Sequence, residues 1–471
     1  MDLLDAGNAR LDGQCNKEIV LDTGNEPVAR SRYREVVDRL AAEIRAGRLT
    51  PATRLPTHRE LAQSHHLALA TASRVYAELE AMGLVVGEVG RGTFVRDISY
   101  LQNSTVDQLP AVPGATELSF NEPLLEGQAD VLRSTLRQLA SSGDLDALLR
   151  YAPYGGRPHE RAVVARHLGR RHLKVGAERV LVTGGAQHGL AVTFLALLKP
   201  GDVVAVDALT YPGFKVLAST LRIELAPLPV SSDGTDLDAL DRLCATRGVR
   251  AVYAMPTIHN PLSCVMSLGD RRRLVAIARK HELLVDEDEA YAYLAGDAPE
   301  PVAALAPERT IFVSSLSKNV ATGLRFGFLV APSELVASIE SAIRATVWNV
   351  AAALCAIACR WMEDGTVAEL EARKRKEAAV RQDMAAKALA GIRVVSHASS
   401  YLLWVPLGED QRADRVSVEL RRRGIAVATA DAFATTAHVP HAVSIAMGSV
   451  TRRVLKEALV AVGDVIRADV S

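Results

Sequence analysis

The pattern Ser315-Leu316-Ser317-Lys318, followed by Gly323, Arg325 and Gly327, gathers two hydroxyls, an amine and a guanidinium in one short stretch. An apolar run, Thr310-Ile311-Phe312-Val313, leads into it and reads as a short buried strand. A lysine among small residues at a strand end can be held against a cofactor aldehyde. Its amine can form a Schiff base once desolvation or neighbouring cations favour the neutral form. Ser315 and Arg325 suit a phosphate, one as a hydroxyl donor and the other as a planar fork. The competing reading is a solvated lysine beside a turn. A second stretch bears on the choice. Val180-Leu181-Val182-Thr183 reads as a buried strand, and Gly184-Gly185-Ala186-Gln187 then opens a long apolar helix. A glycine turn at a helix start presents free backbone N–H groups and the positive end of the dipole, which seats an anion.

The elements that would hold these residues alternate strand-like and helical runs from Glu117 onward, the mark of an α/β sheet. At 471 residues the chain has room for two to four domains and a large core. Lys and Arg total 55 and Asp and Glu total 55, so the whole chain has no nucleic-acid signature, although a small basic domain can hide in a neutral total. Five scattered cysteines argue for a reducing compartment and against a disulfide framework. Cys355 and Cys359 lie one helical turn apart on an apolar helix and read as core, so no metal site is expected. The N-terminal residues lack a cationic-then-apolar signal and no apolar run reaches spanning length, so a cytoplasmic protein without a membrane partner is expected.

The boundaries expected are a tail over 1–25, a small helical domain over 26–97, a linker over 98–115 and an α/β domain over 116–471. The last ends in a small C-terminal α+β subdomain from about 365. In the small domain, Tyr33, Val36, Val37, Leu40, Ala41 and Ile44 recur at helical spacing and Gly47 stops the run. Thr57 and Glu60 form a capping box for a second helix. A third helix runs from about Ala70 to Met82. Val85-Val86 and Thr93-Phe94-Val95 then read as a hairpin with a glycine-rich tip. Three short helices and a glycine-tipped ribbon describe a winged helix-turn-helix.

Residues 33–95 resemble the GntR-type DNA-binding domain, through Leu55 to Ala62, Thr71 to Leu84 with Tyr76 and Leu79, and Gly90 to Val95. The resemblance implies a third helix in the major groove and a wing near the minor groove of double-stranded operator DNA. Arg59 suits a phosphate or base edge, and Thr71, Ser73 and Arg74 sit on the reading helix. Arg91, between two glycines, can enter a narrow groove. Ala68, Leu69 and Ala70 stand where many relatives carry polar residues, so base readout at the front of that helix is expected to be thin.

The Ser315 to Gly327 stretch resembles the lysine motif of fold-type I aminotransferases, which bind pyridoxal 5′-phosphate. That resemblance implies Lys318 as the Schiff-base lysine, with Ser315 and Arg325 on the phosphate and Ser317 among the cofactor-binding residues. Gly185, Ala186 and Gln187 match the phosphate loop, with Gly184 replacing the usual serine. Tyr211 fits the ring that stacks on the pyridine. Asn260 fits the amide at the phenolate oxygen, and Asp288 the carboxylate at the pyridine nitrogen. Tyr291, the third of the catalytic set with Lys318 and Asp288, would also reach the phenolate oxygen. Among the neighbouring acids, Asp286 and Glu287 read as strand-end polarity. Tyr151 matches a tyrosine that reaches the cofactor phosphate of a neighbouring subunit, so a homodimer is implied. The pattern breaks at Ser444, where relatives carry the arginine that clamps an amino acid carboxylate.

Both modules together are similar to the MocR subfamily of GntR regulators from about residue 30. The implied function is a transcription factor whose aminotransferase-like domain senses pyridoxal phosphate or an amine or amino-acid effector. The alternative is a working aminotransferase with a DNA-binding appendage.

Overall fold

A computed structural model describes residues 32–50, 52–88, 92–96, 114–123, 125–142, 144–408 and 411–468. The N-terminal module packs three helices, α1 (Arg32–Arg45), α2 (His58–Ser64) and α3 (Leu69–Ala81), against a two-stranded ribbon. The ribbon pairs β1 (Val85–Glu88) antiparallel to β2 (Gly92–Val95). Thr57 starts α2 as its sequence implies: its hydroxyl accepts from the Glu60 N–H, and the Glu60 carboxylate accepts from the Thr57 N–H. Val37, Leu61, Val75 and Leu79 bury the shared core. The Tyr76 hydroxyl donates to the Pro56 carbonyl at 2.5 Å and ties the third helix to the start of the second.

The large body is built on a seven-stranded sheet. Across it run Val180–Thr183, Gly327–Val330, Thr310–Ser315, Leu284–Asp288, Val249–Ala254, Val203–Asp207 and Glu224–Leu228. Gly327–Val330 is antiparallel to both of its neighbours, and the other pairs are parallel. Parallel strands buried on both faces explain runs such as Val204-Ala205-Val206 and Ile311-Phe312-Val313. The register sets Thr183, Gly327 and Ser315 side by side. Loops from the carboxyl ends of the parallel strands therefore meet along one edge of the sheet, the usual crevice of such folds.

The small C-terminal subdomain has a three-stranded sheet, with Ala442–Ala446 between Leu402–Pro406 and Ala428–Thr429. The helices Thr366–Ala388, Ala413–Arg422 and Arg452–Ala468 pack on it. One pairing crosses the expected boundary. Thr116–Glu117 pairs in parallel with Ile425–Ala426, and Leu118 is buried in the small subdomain's core. The first residues of the expected α/β domain thus belong in space to its last part. Cys355 and Cys359 lie in the core, where burial pushes the Cys359 thiol up to about 12. Among the described residues no helix is long and apolar enough to cross a membrane.

Candidate functional site

At the crevice the chain makes a cradle with very little room. Gly185 takes φ +94°, and a Cβ there would come within 2.8 Å of the Arg325 guanidinium. A Cβ on Gly327 would meet the Gly185 backbone at 2.5 Å. The helix Ala186–Leu197 begins here with Gly185 as its cap and no side chain bonding its first N–H groups. Arg325 sits in the left-handed region at φ 46° and donates to the Gly184 carbonyl at 3.0 Å. Strain at a non-glycine residue beside a helix start is typical of a ligand-holding position. The Gly184 N–H donates to His188 Nδ1 at 3.0 Å, and burial and Arg325 hold that imidazole below its usual range. Arg325 brings its guanidinium into the cradle. The Ser317 N–H donates to Ser315 Oγ at 3.3 Å, while Ser317 Oγ and Gln187 Oε1 are buried without a protein partner. Unfilled polar atoms, a free helix start and a guanidinium fit a phosphate monoester. Gln187 also donates from Nε2 to the Gly213 carbonyl at 2.9 Å, linking the cradle to the helix that follows Tyr211.

Lys318 projects from the turn after Ser315. Its Nζ donates to the Asn121 carbonyl at 2.7 Å and lies 4.3 Å from the centre of the Phe120 ring. Asn121 and Phe120 come from the segment stitched to the small subdomain, so the amine sits where the two parts of the body meet. Neither residue is marked by local sequence as a site residue.

Asp288 ends the Leu284–Asp288 strand and is buried. Its carboxylate accepts from the Tyr253 hydroxyl at 2.8 Å and from the Ala290 N–H at 3.0 Å. Burial pushes Asp288 up, and these two donors oppose the shift. Tyr253 stacks on Phe214 at 3.9 Å between ring centres. The Tyr291 hydroxyl accepts from Asn121 Nδ2 at 3.4 Å. Asn260 is buried and precedes a cis peptide to Pro261. Tyr211 caps the helix Pro212–Thr220 and packs half-buried against the main core. Asp288, at its strand end, and Lys318, Tyr291, Asn260 and Tyr211, on the segments that follow their strands, therefore lie at the same sheet edge as the cradle. The carboxylate set fits a protonated ring nitrogen.

The neighbouring acids are not strand-end polarity, since all four from Asp286 to Glu289 are buried. Glu287 accepts from the Val302 and Ala303 N–H groups at 2.7 and 2.8 Å and caps a short helix. Glu289 accepts from Thr257 Oγ1 at 2.9 Å, with Arg271 3.8 Å away. Asp286 is different, because neither carboxylate oxygen has a protein partner. Burial, then the Asp288 and Glu287 charges, push it well above the usual range. A carboxyl raised on folding contributes stability that is complete below its unfolded value and is lost as pH rises through the folded one. Asp286→Asn is therefore expected to gain stability over the native chain at pH 8 relative to pH 5. About 1–3 kcal/mol is the scale for an unsatisfied buried polar group. Urea unfolding at the two pH values checks this, and equal differences would contradict it.

On the N-terminal module, Arg59 is exposed near the start of α2. Thr71 is half-buried on α3. Ser73 is within 2.9 Å of His58 Nδ1 and donates to the Leu69 carbonyl at 3.1 Å. Arg74 lies over the Tyr33 ring at 4.8 Å and 3.5 Å from Glu78. Arg91 lies outside the described residues. The far half of α3 is docked on the body. Glu78 is 3% exposed and pairs with Arg415, and Arg412 Nε stands 3.4 Å from its other oxygen. Arg412, 4% exposed, also lies 3.5 Å from Asp38 on α1. Arg45 at the end of α1 pairs with Asp431 at 2.5 Å. None of these contacts is visible from local pattern. The front of α3, including Leu69, Ala70 and Arg74, stays exposed.

Tyr151 is not brought to the Lys318 cluster within one chain. It is 84% exposed and stands 5.5 Å from Trp348, centre to centre. Leu149 beside it is 85% exposed. Ser444 is buried opposite Trp404 in the small sheet, and that indole packs in a cluster with Leu209, Leu262 and Phe433.

Residues 113–462 match the family model for aminotransferase class I and II, and residues 32–95 match that for bacterial regulatory proteins of the gntR family. The uncharacterized HTH-type transcriptional regulator YdeF of Bacillus subtilis is 27% identical over 419 residues, covering 88% of each chain. The probable rhizopine catabolism regulatory protein MocR of Rhizobium meliloti is 26% identical, over 74% of this chain and 75% of that one. Among solved structures, an archaeal alanine:glyoxylate aminotransferase superposes with a TM-score of 0.71 at 22% identity. It matches 83% of this chain and 99% of its own, and that likeness speaks to the fold.

Proposed function

The chain belongs to the aminotransferase class I and II family, with a gntR-family DNA-binding module ahead of it, and from that premise we propose a transcriptional regulator that responds to pyridoxal phosphate or an amine effector. The observation that carries this reading is the buried Glu78 cluster, which fastens the reading helix to the subdomain bordering Lys318. Gly185, Ala186, Gln187, Ser315 and Arg325 would hold the cofactor's phosphate, with Ser317 beside them. Tyr211 would pack on its ring, Asn260 and Tyr291 would hold its phenolate oxygen, and Asp288, steadied by Tyr253, would favour a protonated ring nitrogen. Bound there, pyridoxal phosphate supplies an aldehyde for the Lys318 amine and an electron-withdrawing ring. A second copy would cover the exposed Tyr151 and Leu149, and Tyr151 would then reach the partner's cofactor phosphate. Occupancy that shifts the small subdomain also shifts α3 and hence the two DNA-binding heads of the dimer.

The cofactor set favours a second reading, an active aminotransferase. Ser444 opposes it, since losing a charged carboxylate clamp costs about 2–5 kcal/mol of binding. Efficient steady-state transamination of common amino acids would establish that second reading. The regulatory reading is tested by gel shift on the intergenic DNA upstream of the gene, with and without pyridoxal phosphate and a panel of amines. A retarded complex whose affinity changes with the small molecule is expected. Arg59→Ala is expected to weaken binding and to lower the log–log salt slope by about 1, the signature of one phosphate contact. No retention at low salt would overturn the reading.

A further inference from the structure

The phosphate cradle turns on Gly184 and Gly185, the two residues ahead of the helix Ala186–Leu197. The Gly184 carbonyl accepts from Arg325 Nη2 at 3.0 Å. The Gly185 carbonyl accepts from Thr183 Oγ1 and from the Gly189 N–H, both at 3.1 Å. Two carbonyl dipoles that would repel an anion are thus occupied by donors of the chain itself. The Gly184 N–H is the third group held, and its partner is His188 Nδ1 at 3.0 Å. What remains for a ligand is the set of N–H groups that opens the helix, where no side chain caps them.

A backbone N–H can only donate, so His188 Nδ1 carries no proton and the ring proton sits on Nε2. Nε2 stands 2.9 Å from Thr346 Oγ1. That hydroxyl gives its own proton to the Ala342 carbonyl at 2.9 Å or the Ile343 carbonyl at 3.1 Å, and so accepts from the imidazole. One chain of bonds therefore runs from a helix carbonyl through Thr346 and His188 to the Gly184 N–H. The opposite tautomer would set Nδ1–H against that N–H. Thr346 closes the helix Val336–Thr346, and Trp348, two residues on, stands 5.3 Å from Tyr154 and 5.5 Å from Tyr151, centre to centre. The cradle is thus anchored to the face on which Tyr151 is exposed.

We propose that His188 is a positioning residue for the cradle: through Nδ1 it fixes Gly184, and so holds the helix-opening N–H groups in place for a phosphate monoester. The proposal rests on the cradle as a phosphate site, but two of its three tests need no ligand. The first follows the Gly184 amide in full-length protein carrying isotope-labelled glycine. In His188→Leu that amide is expected to exchange about fivefold faster, the scale of one neutral hydrogen bond. His188→Gln keeps an acceptor that can reach back from the third helical position, and is expected to exchange within about twofold of native. The second test is the ring nitrogen spectrum of histidine-labelled native protein near neutral pH. One ring, absent from His188→Gln, is expected to have a bare Nδ1 and a protonated Nε2. The third uses 4′-deoxypyridoxine 5′-phosphate, which has no aldehyde for Lys318 to capture. Its dissociation constant, by calorimetry, is expected to rise about fivefold in His188→Leu and to stay within about twofold of native in His188→Gln. Native exchange and native affinity in His188→Leu overturn the proposal. A His188→Gln as impaired as His188→Leu also overturns it, since packing and not the bond would then be at work. Should His188→Leu fail to fold, a native ring with a proton on Nδ1 overturns it alone. A native chain that does not bind the probe counts against the cofactor reading, and leaves the exchange and the ring spectrum to decide on His188.

Discussion

Lys318→Ala is expected to abolish covalent capture of pyridoxal phosphate. The visible band appears on mixing the cofactor with native protein and is absent from the variant. Borohydride treatment leaves the native chain labelled on the peptide containing residue 318 and the variant unlabelled. The loss is complete because the substitution removes the nucleophile that the strand Thr310–Ser315 and its turn bring beside the phosphate cradle. Folding is expected to persist. The substitution frees the Asn121 carbonyl of one donor, at a cost of about 1 kcal/mol. Residual non-covalent binding is also expected, since Gly185, the helix start and Arg325 are untouched. A borohydride-fixed label elsewhere, at native yield, would move the reactive amine away from Lys318.

Glu78→Ala is the second large effect. The substitution leaves Arg412, which is 4% exposed, with Asp38 at 3.5 Å and Asp414 at 3.3 Å as its remaining counter-charges. Removing one partner of a buried pair costs about 3–5 kcal/mol, and the two remaining carboxylates put this case at the lower end. The readouts are urea unfolding of the full chain and amide exchange in α3 and in the helix Ala413–Arg422. Both helices are expected to exchange faster, and DNA affinity is expected to stop responding to the cofactor. Arg415→Ala should cost less, because that side chain is 38% exposed. Unchanged stability and unchanged exchange in Glu78→Ala would mean that the head is not fastened through this cluster.

Sequence made the chemistry legible where it is local. Lys318, Ser315 and Arg325 lie on or beside one strand-to-strand connection, and Asp288 and Tyr291 at the end of another strand, so spacing alone relates them. The fold class was legible for the same reason, since each strand and helix declares its period within a few residues. What stayed hidden depends on register and packing between distant segments. Tyr253 reaches Asp288 because two parallel strands align. Asn121 reaches Lys318 because a short strand joins the far end of the chain. Lys374 lies in a run of charged residues, and only the phase of its helix against the body turns it inward. Asp286 and Glu287 misled for a related reason: acids at a strand end suggest water, but this strand end is roofed by other elements.

The pairing of Thr116–Glu117 with Ile425–Ala426 has a consequence during synthesis. The ribosome completes the winged head early, and such a unit can fold as it emerges. The strand that receives residues 116 and 117 is made about three hundred residues later, as are Arg412 and Arg415. A chain that stalls in between carries a finished head with nothing to restrain it. Translation that aborts in that interval would release heads that compete for promoters without hearing any signal, so clearance of unfinished chains becomes part of how faithfully the gene's targets are controlled.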